Sequence, residues 1–390
     1  MNIVYLHRTQ AKGVEGVHIG EIVNAWRKLG HNVRILSPVD DQLGEDVVDT
    51  RPADTSIKRR MLRFVSGHLP ELMFELVELA YNLATIHQAR TLDTNAPDLI
   101  FERYAIFAVA GAYLATRWGR PFIVEINYTS CSPLVRKRSA LLRPLARRAD
   151  QYVFSRATAL VAVSSYLKQH LISEFGVQPS RILVLPNAAD PDVFDIAKVS
   201  HPPGMANIQG KIIGFVGGFY PWHGLELLLC AFKLIAEQVP NAKLMLVGDG
   251  PTLPAIRAQI DQLGLVGRVI LPGRVAHREL PGYVAMFHCG VMPDSNEYGS
   301  PMKIFEYMAL GKPVVVPNYW PLLDVIDDGV EGRVFAARNV EQLAECMAML
   351  LTDEAAYSLM SVQARNKILI KHNWGKNAES ILALLPGSAK

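Results

Sequence analysis

One grammar occurs twice in this chain, and it leaves few folds open. The N-terminus opens on a short β-branched apolar run, Ile3 to Leu6. A glycine-containing loop follows, Gly13-Val14-Glu15-Gly16-Val17-His18, and then a helical stretch over about Ile19 to Leu29. Ile22, Val23, Trp26 and Leu29 fall on one helix face. Gly30 suits the position just past a helix end, and Val33 to Leu36 reads as the next strand. Strand, glycine loop, helix and strand make a βαβ unit. The pattern restarts at the strand Lys211 to Val216, with the turn Gly217-Gly218, a helix over Leu225 to Glu237, and a strand over Lys243 to Val247.

Between these units lie further strand candidates: Leu99-Ile100-Phe101, Phe122 to Glu125, Leu160 to Val163 and Ile182 to Leu185. Most are near-continuous apolar runs, as strands covered on both faces should be. Alternation with helices predicts parallel sheets in a doubly wound α/β fold. The stretch Asp195 to Gly210 contains Pro202-Pro203-Gly204 and little periodicity, so the chain is expected to divide at about residue 200. This gives domains over 1–200 and 201–375, with 376–390 packing back on the first. Two Rossmann-like domains facing across a cleft would bind ligands at the carboxyl ends of their strands.

Composition narrows the class. A chain of 390 residues, half of them hydrophobic, can build two cores and is not disordered. A net charge of +3 announces no surface for polyanions, so nucleic acid is not expected as a partner. Mean hydropathy is +0.14, yet no apolar run is long enough to span a membrane. Cys131, Cys230, Cys289 and Cys346 are far apart and read as buried free thiols of a reducing compartment. With no basic, apolar leader at Met1, the cytoplasm is the expected location.

The chemistry is expected at Ser295 to Val316. Ser300 is a good N-cap and Pro301 a good first helical residue, Gly311 ends the helix, and Val314 to Val316 is a strand. A helix start offers free N–H groups and a positive dipole end to an anion. Lys303 adds a full charge, and Glu306 lies one turn on, on the same face. Amides and lysine taking phosphate, with a carboxylate taking ribose hydroxyls, suits a nucleotide. An ordinary capped helix with a Lys–Glu pair is the plain alternative.

From Gly13-to-Gly16, through Leu185-Pro186-Asn187-Ala188 and Gly248-Asp249-Gly250-Pro251, to Glu306-Tyr307-Met308-Ala309-Leu310-Gly311-Lys312-Pro313-Val314-Val315, the chain resembles a family-4 retaining glycosyltransferase of the GT-B fold. The resemblance implies sugar transfer from a nucleotide sugar (a UDP- or GDP-sugar) bound on the C-terminal domain. The acceptor, a glycan, a lipid-linked or a small molecule, would lie on the N-terminal domain. It implies no metal and no cofactor, because protein cations and helix dipoles neutralise the leaving diphosphate. Candidate catalytic residues are Lys303, Glu306, Glu297 and His223. Gly16, Gly217, Gly218, Gly299, Ser300, Pro301, Met302 and Val275 would line the donor, the last through backbone groups near the base. Glu125, Asn127, Arg103 and His18 are the acceptor-side candidates, each with a structural alternative as a turn-former or ion-pair partner.

Three positions depart from the family pattern. Tyr298 stands where the family usually has a first glutamate eight residues before Glu306, with Glu297 adjacent. Phe219 and His223 stand where it has Arg and Lys, so Lys303 is expected to supply that charge. Glu125-Ile126-Asn127-Tyr128 stands where a histidine often follows the strand. His277 and His288 lie outside the motifs and read as structural. A nicotinamide dehydrogenase, the first rival, predicts G-x-G-x-x-G after the first strand, and neither half carries that spacing. Another GT-B enzyme, an epimerase or phosphorylase, and a degenerate non-catalytic homologue on the membrane stay open. Two basic stretches among leucines, Lys58-Arg59-Arg60 with Arg63, and Arg136-Lys137-Arg138 with Arg143, Arg147 and Arg148, are either ordinary amphipathic helices or a contact with the anionic inner face of a membrane.

Overall fold

In a computed structural model, residues 1–11, 13–39, 71–131, 141–205 and 208–387 are described. The chain divides into two compact units, one of residues 1–185 with 377–390, the other of 186–376.

In the first unit β1 (Asn2–Leu6), α1 (Gly13–Lys28), β2 (Asn32–Leu36), α2 (Glu71–Ala89), β3 (Leu99–Arg103), α3 (Ala110–Trp118), β4 (Phe122–Ile126), α4 (Arg143–Arg156), β5 (Ala159–Ala162), α5 (Ser165–Phe175) and β6 (Ile182–Val184) alternate. The strands form one parallel six-stranded sheet in the order β2-β1-β3-β4-β5-β6. Tyr5, Trp26 and Phe101 pack as a buried aromatic cluster, with Trp26 and Phe101 edge-on at 5.1 Å. Trp26 Nε1 donates to the Ala378 carbonyl at 3.2 Å, which fastens the C-terminal segment to this unit.

In the second unit β7 (Lys211–Val216), α6 (Leu225–Gln238), β8 (Ala242–Val247), α7 (Leu253–Gln262), β9 (Val269–Gly273), α8 (Leu280–Ala285), β10 (Cys289–Val291), α9 (Met302–Ala309), β11 (Val314–Pro317), α10 (Trp320–Leu323), β12 (Gly332–Phe335), α11 (Val340–Thr352) and α12 (Glu354–Ile370) follow. Its parallel sheet has the order β12-β11-β10-β7-β8-β9. Helices α6 and α11 cover one face, and α8, α9 and α12 the other.

Three expectations shift. Helix α1 starts at Gly13, so the expected glycine loop is its first turn. The division lies between Leu185 and Pro186 rather than near residue 200. Residues 186–200 are held by the second unit: Ala189 bridges to Asn373, and Phe194 is buried in the core beneath α9. The proline-rich stretch is a loop within that unit, not a linker. Of the four free cysteines, Cys289 and Cys346 are buried and Cys131 and Cys230 only partly so.

Candidate functional site

Strand order reverses between β7 and β10 in the second sheet, and open α/β sheets bind ligands at the carboxyl ends beside such a reversal. The loops leaving these two strands carry Gly217 and Gly218 on one side and residues 294–301 on the other. Tyr307 of α9 ties them together, because its hydroxyl accepts the Val216 N–H at 2.7 Å.

Helix α9 begins one residue later than expected. Pro301, not Ser300, is its N-cap, and no side chain caps it. Ser300 is occupied otherwise: its hydroxyl accepts the Asn187 N–H at 3.0 Å, and its carbonyl accepts from Asn187 Nδ2 at 2.5 Å. Met302 is buried at the first helical position. Upstream, Asn296 Oδ1 accepts the N–H groups of Tyr298 at 3.2 Å and Gly299 at 2.5 Å, which turns the loop towards the helix start.

Lys303 points inward from this start. Its Nζ lies 4.2 Å from the centroid of the Phe215 ring and has no hydrogen-bond partner among the described residues. A Cβ on Gly217, whose φ is +149°, would stand 2.7 Å from that Nζ. Burial lowers the Lys303 pKa to about 7, against the opposing pull of Glu306. Glu306 is buried, and His277 Nε2 meets its Oε1 at 2.8 Å.

The other expected donor residues are less directly placed. Gly218 lies under the Tyr220 ring, and its carbonyl accepts from His223 Nδ1 at 2.5 Å. Burial, then the nearby Lys303 charge, push His223 down to about 4, so the ring is neutral. Phe219 is fully buried in the core and cannot face phosphate. Val275 is partly buried against the core. Glu297 is exposed. Gly16 sits inside α1, where a Cβ would fall 2.0 Å from the Ala11 carbonyl oxygen; that close approach by itself requires glycine.

All four acceptor-side candidates meet in the first unit. Glu125 ends β4, and its carboxylate takes His18 Nε2 at 2.8 Å, Asn127 Nδ2 at 2.6 Å and an ion pair with Arg103 from the end of β3. Burial opposes the charge, but His18 and Arg103 outweigh it and hold the carboxyl at about 2. The cluster lies beside the strand reversal of its own sheet, between β1 and β3.

Of the residues read as structural, His288 fits: its Nε2 meets the Leu350 carbonyl at 2.9 Å and its ring stacks on Tyr357. His277 contacts a candidate site residue, its Nε2 meeting Glu306 Oε1 at 2.8 Å. Its place just past the carboxyl end of β9 was the available signal. Among the described residues no group of three or more His, Cys, Asp or Glu could hold a metal ion. The residues Lys58 to Arg63 and Arg136 to Arg138 lie outside the described residues.

Residues 13–193 match the family described as Glycosyltransferase Family 4, and residues 210–353 match Glycosyl transferases group 1. A GDP-mannose-dependent alpha-(1-6)-phosphatidylinositol monomannoside mannosyltransferase of Mycolicibacterium smegmatis is 26% identical over 258 residues, which span 63% of this chain and 66% of that protein. An MMP alpha-(1->4)-mannosyltransferase of Mycolicibacterium hassiacum is 22% identical over 97% of this chain and 96% of its own. The crystal structure of Anabaena Alr3699/HepE in complex with UDP shares the fold, with a TM-score of 0.73 at 18% identity over 99% of this chain and 100% of that one.

Proposed function

Because the chain is a glycosyltransferase of the family-4 group with the GT-B fold, we propose that it moves a sugar from a UDP- or GDP-sugar to a glycan, lipid-linked or small-molecule acceptor with retention of configuration. The observation that carries the donor side is Lys303. A buried ammonium with no hydrogen-bond acceptor among the described residues, at an uncapped helix start beside Gly217, suits an anion. A diphosphate supplies it. Glu306, one turn along α9, takes the ribose. The negative charge that develops on the leaving diphosphate is met by Lys303 and the α9 dipole, so the proposed transfer runs on protein-borne charge.

The relatives support a nucleotide-sugar donor, one naming GDP-mannose and one holding UDP. In the first unit the Glu125 cluster orders the ends of β3 and β4, where the acceptor is proposed to bind. Glu125 is spent on three partners, so it fixes geometry and does not itself reach substrate.

Peripheral membrane contact is proposed for the same unit. No helix among the described residues is long and apolar enough to cross a membrane. Helix α2 nevertheless exposes Leu72, Met73, Leu76 and Val77, and α4 with its approach exposes Leu141 and Leu145 beside Arg143, Arg147 and Arg148. Glu75 joins the two, since its carboxylate accepts the N–H groups of Leu141 at 2.8 Å and Leu142 at 2.9 Å. Apolar side chains rimmed by arginine suit an anionic bilayer surface.

The deciding experiment incubates the protein with UDP- and GDP-sugars, measures nucleotide release, and assigns the product anomer by NMR. Thermal stabilisation by UDP or GDP, with turnover and retained configuration, is expected. Neither stabilisation nor release with any donor would overturn the reading.

A further inference from the structure

Glu306 has two carboxylate oxygens in unlike settings. Oε1 is held at 2.8 Å by His277 Nε2, while Oε2 makes no hydrogen bond among the described residues. An ionised carboxylate only accepts, so the histidine nitrogen donates. His277 comes from a different element, a short turn four residues past β9. That turn is fixed by the Glu279 carboxylate, which accepts the Ala276 N–H at 3.3 Å, and by Phe194, edge-on to the His277 ring at 5.8 Å. A carboxylate at the end of a glutamate side chain otherwise rotates freely and can offer either oxygen. Here the rotation is stopped from outside the helix.

We infer that His277 is a positioning residue that aims Glu306 Oε2 at a ribose hydroxyl and so makes the site select ribonucleotides over deoxyribonucleotides. The inference rests on the donor reading above and adds a specificity device to it. An acceptor that a bound nucleotide covers, built to meet a hydroxyl, is left unpaired by a ligand that lacks one, and that penalty gives the discrimination. A carboxylate free to turn away would escape much of it.

The test measures affinities by calorimetry for UDP and GDP and for their 2′-deoxy and 3′-deoxy counterparts. The wild type is expected to favour the better ribonucleotide over at least one deoxy form by about tenfold or more. His277→Ala should shrink that ratio several-fold while leaving affinity for the deoxy form within about twofold. His277→Gln, whose amide can still donate to Oε1, should restore it. The His277 side chain is partly exposed, so these variants leave the core filled. A packing role alone would weaken both ligands equally and keep the ratio, which would overturn the inference. A wild type that binds ribo and both deoxy forms alike would do the same. If neither nucleotide binds at all, the donor reading itself falls, and this inference with it.

Discussion

Lys303 Nζ lies over the face of Phe215, 4.2 Å from the ring centroid, with no hydrogen-bond acceptor among the described residues. A π face returns only part of the solvation a buried ammonium loses, so the proton is held weakly and the pKa falls to about 7. A bound diphosphate favours the charged amine and raises that pKa. Donor binding therefore takes up a proton above about pH 7. Affinity for a nucleotide sugar should be level below about pH 7 and weaken towards pH 9, by at most about tenfold per pH unit. Lys303→Met should bind weakly and without that slope. His223, neutral and turned to the Gly218 carbonyl, is not its source, so His223→Gln should keep the slope. Titrating affinity from pH 6 to pH 9 in the three proteins decides between the two residues.

Glu125 should support the first unit electrostatically. Its carboxyl, held at about 2, lies below its ordinary value of 4.5. A depressed folded-state pKa stabilises above the unfolded value and is lost as pH falls through the folded one. Glu125→Gln leaves Arg103 buried without its counter-charge and should cost about 3 kcal/mol near neutrality. The gap in Tm between wild type and variant should narrow as pH drops from about 4.5 towards 2. A gap that stays constant would mean the charge is not what matters.

Gly217 should tolerate no side chain. Its φ of +149° disfavours any other residue, and a Cβ would press on Lys303 Nζ. Gly217→Ala is expected to abolish nucleotide-induced thermal stabilisation while the protein without nucleotide melts within a few degrees of wild type. Normal stabilisation by nucleotide in this variant would detach the glycine from the donor site.

The exposed face of α2 gives a membrane prediction. Co-sedimentation with vesicles rich in anionic lipid should be strong at low salt and fall as salt rises, because the arginine contribution is screened. Replacing Met73 and Leu76 together by Asp should remove most of it, since both are exposed and neither supports the core. If binding at low salt is absent, the α2 face has another use.

Much of the fold could be read directly from the chain, because its signals are local. The apolar runs at Ile3 to Leu6 and Lys211 to Val216 identify buried parallel strands. The residues Pro301 to Gly311 mark a helix start and stop to within a residue. Lys303 and Glu306 sit on one face by helical spacing alone. Local signals also misled where a residue answered to a distant neighbour. Gly16 looks like a loop glycine, yet it lies in a helix, and it is glycine because the Ala11 carbonyl occupies its Cβ position. Ser300 looks like an N-cap but is taken by Asn187, 113 residues away.

What only the tertiary structure decided is which distant groups meet. Spacing along the chain does not say that β7 lies beside β10, yet that adjacency puts Gly217 against Lys303. Nor does it join His277 to Glu306, or bring His18, Arg103 and Asn127 onto Glu125. The physical reason is range. Helix and strand periodicity, capping and breaking residues act within a few positions, so the sequence by itself determined the elements and their α/β alternation. Burial and strand order act across the whole chain. They alone decided that, among the described residues, Lys303 lies buried without an acceptor, Phe219 serves the core, and one carboxylate oxygen of Glu306 is held by His277.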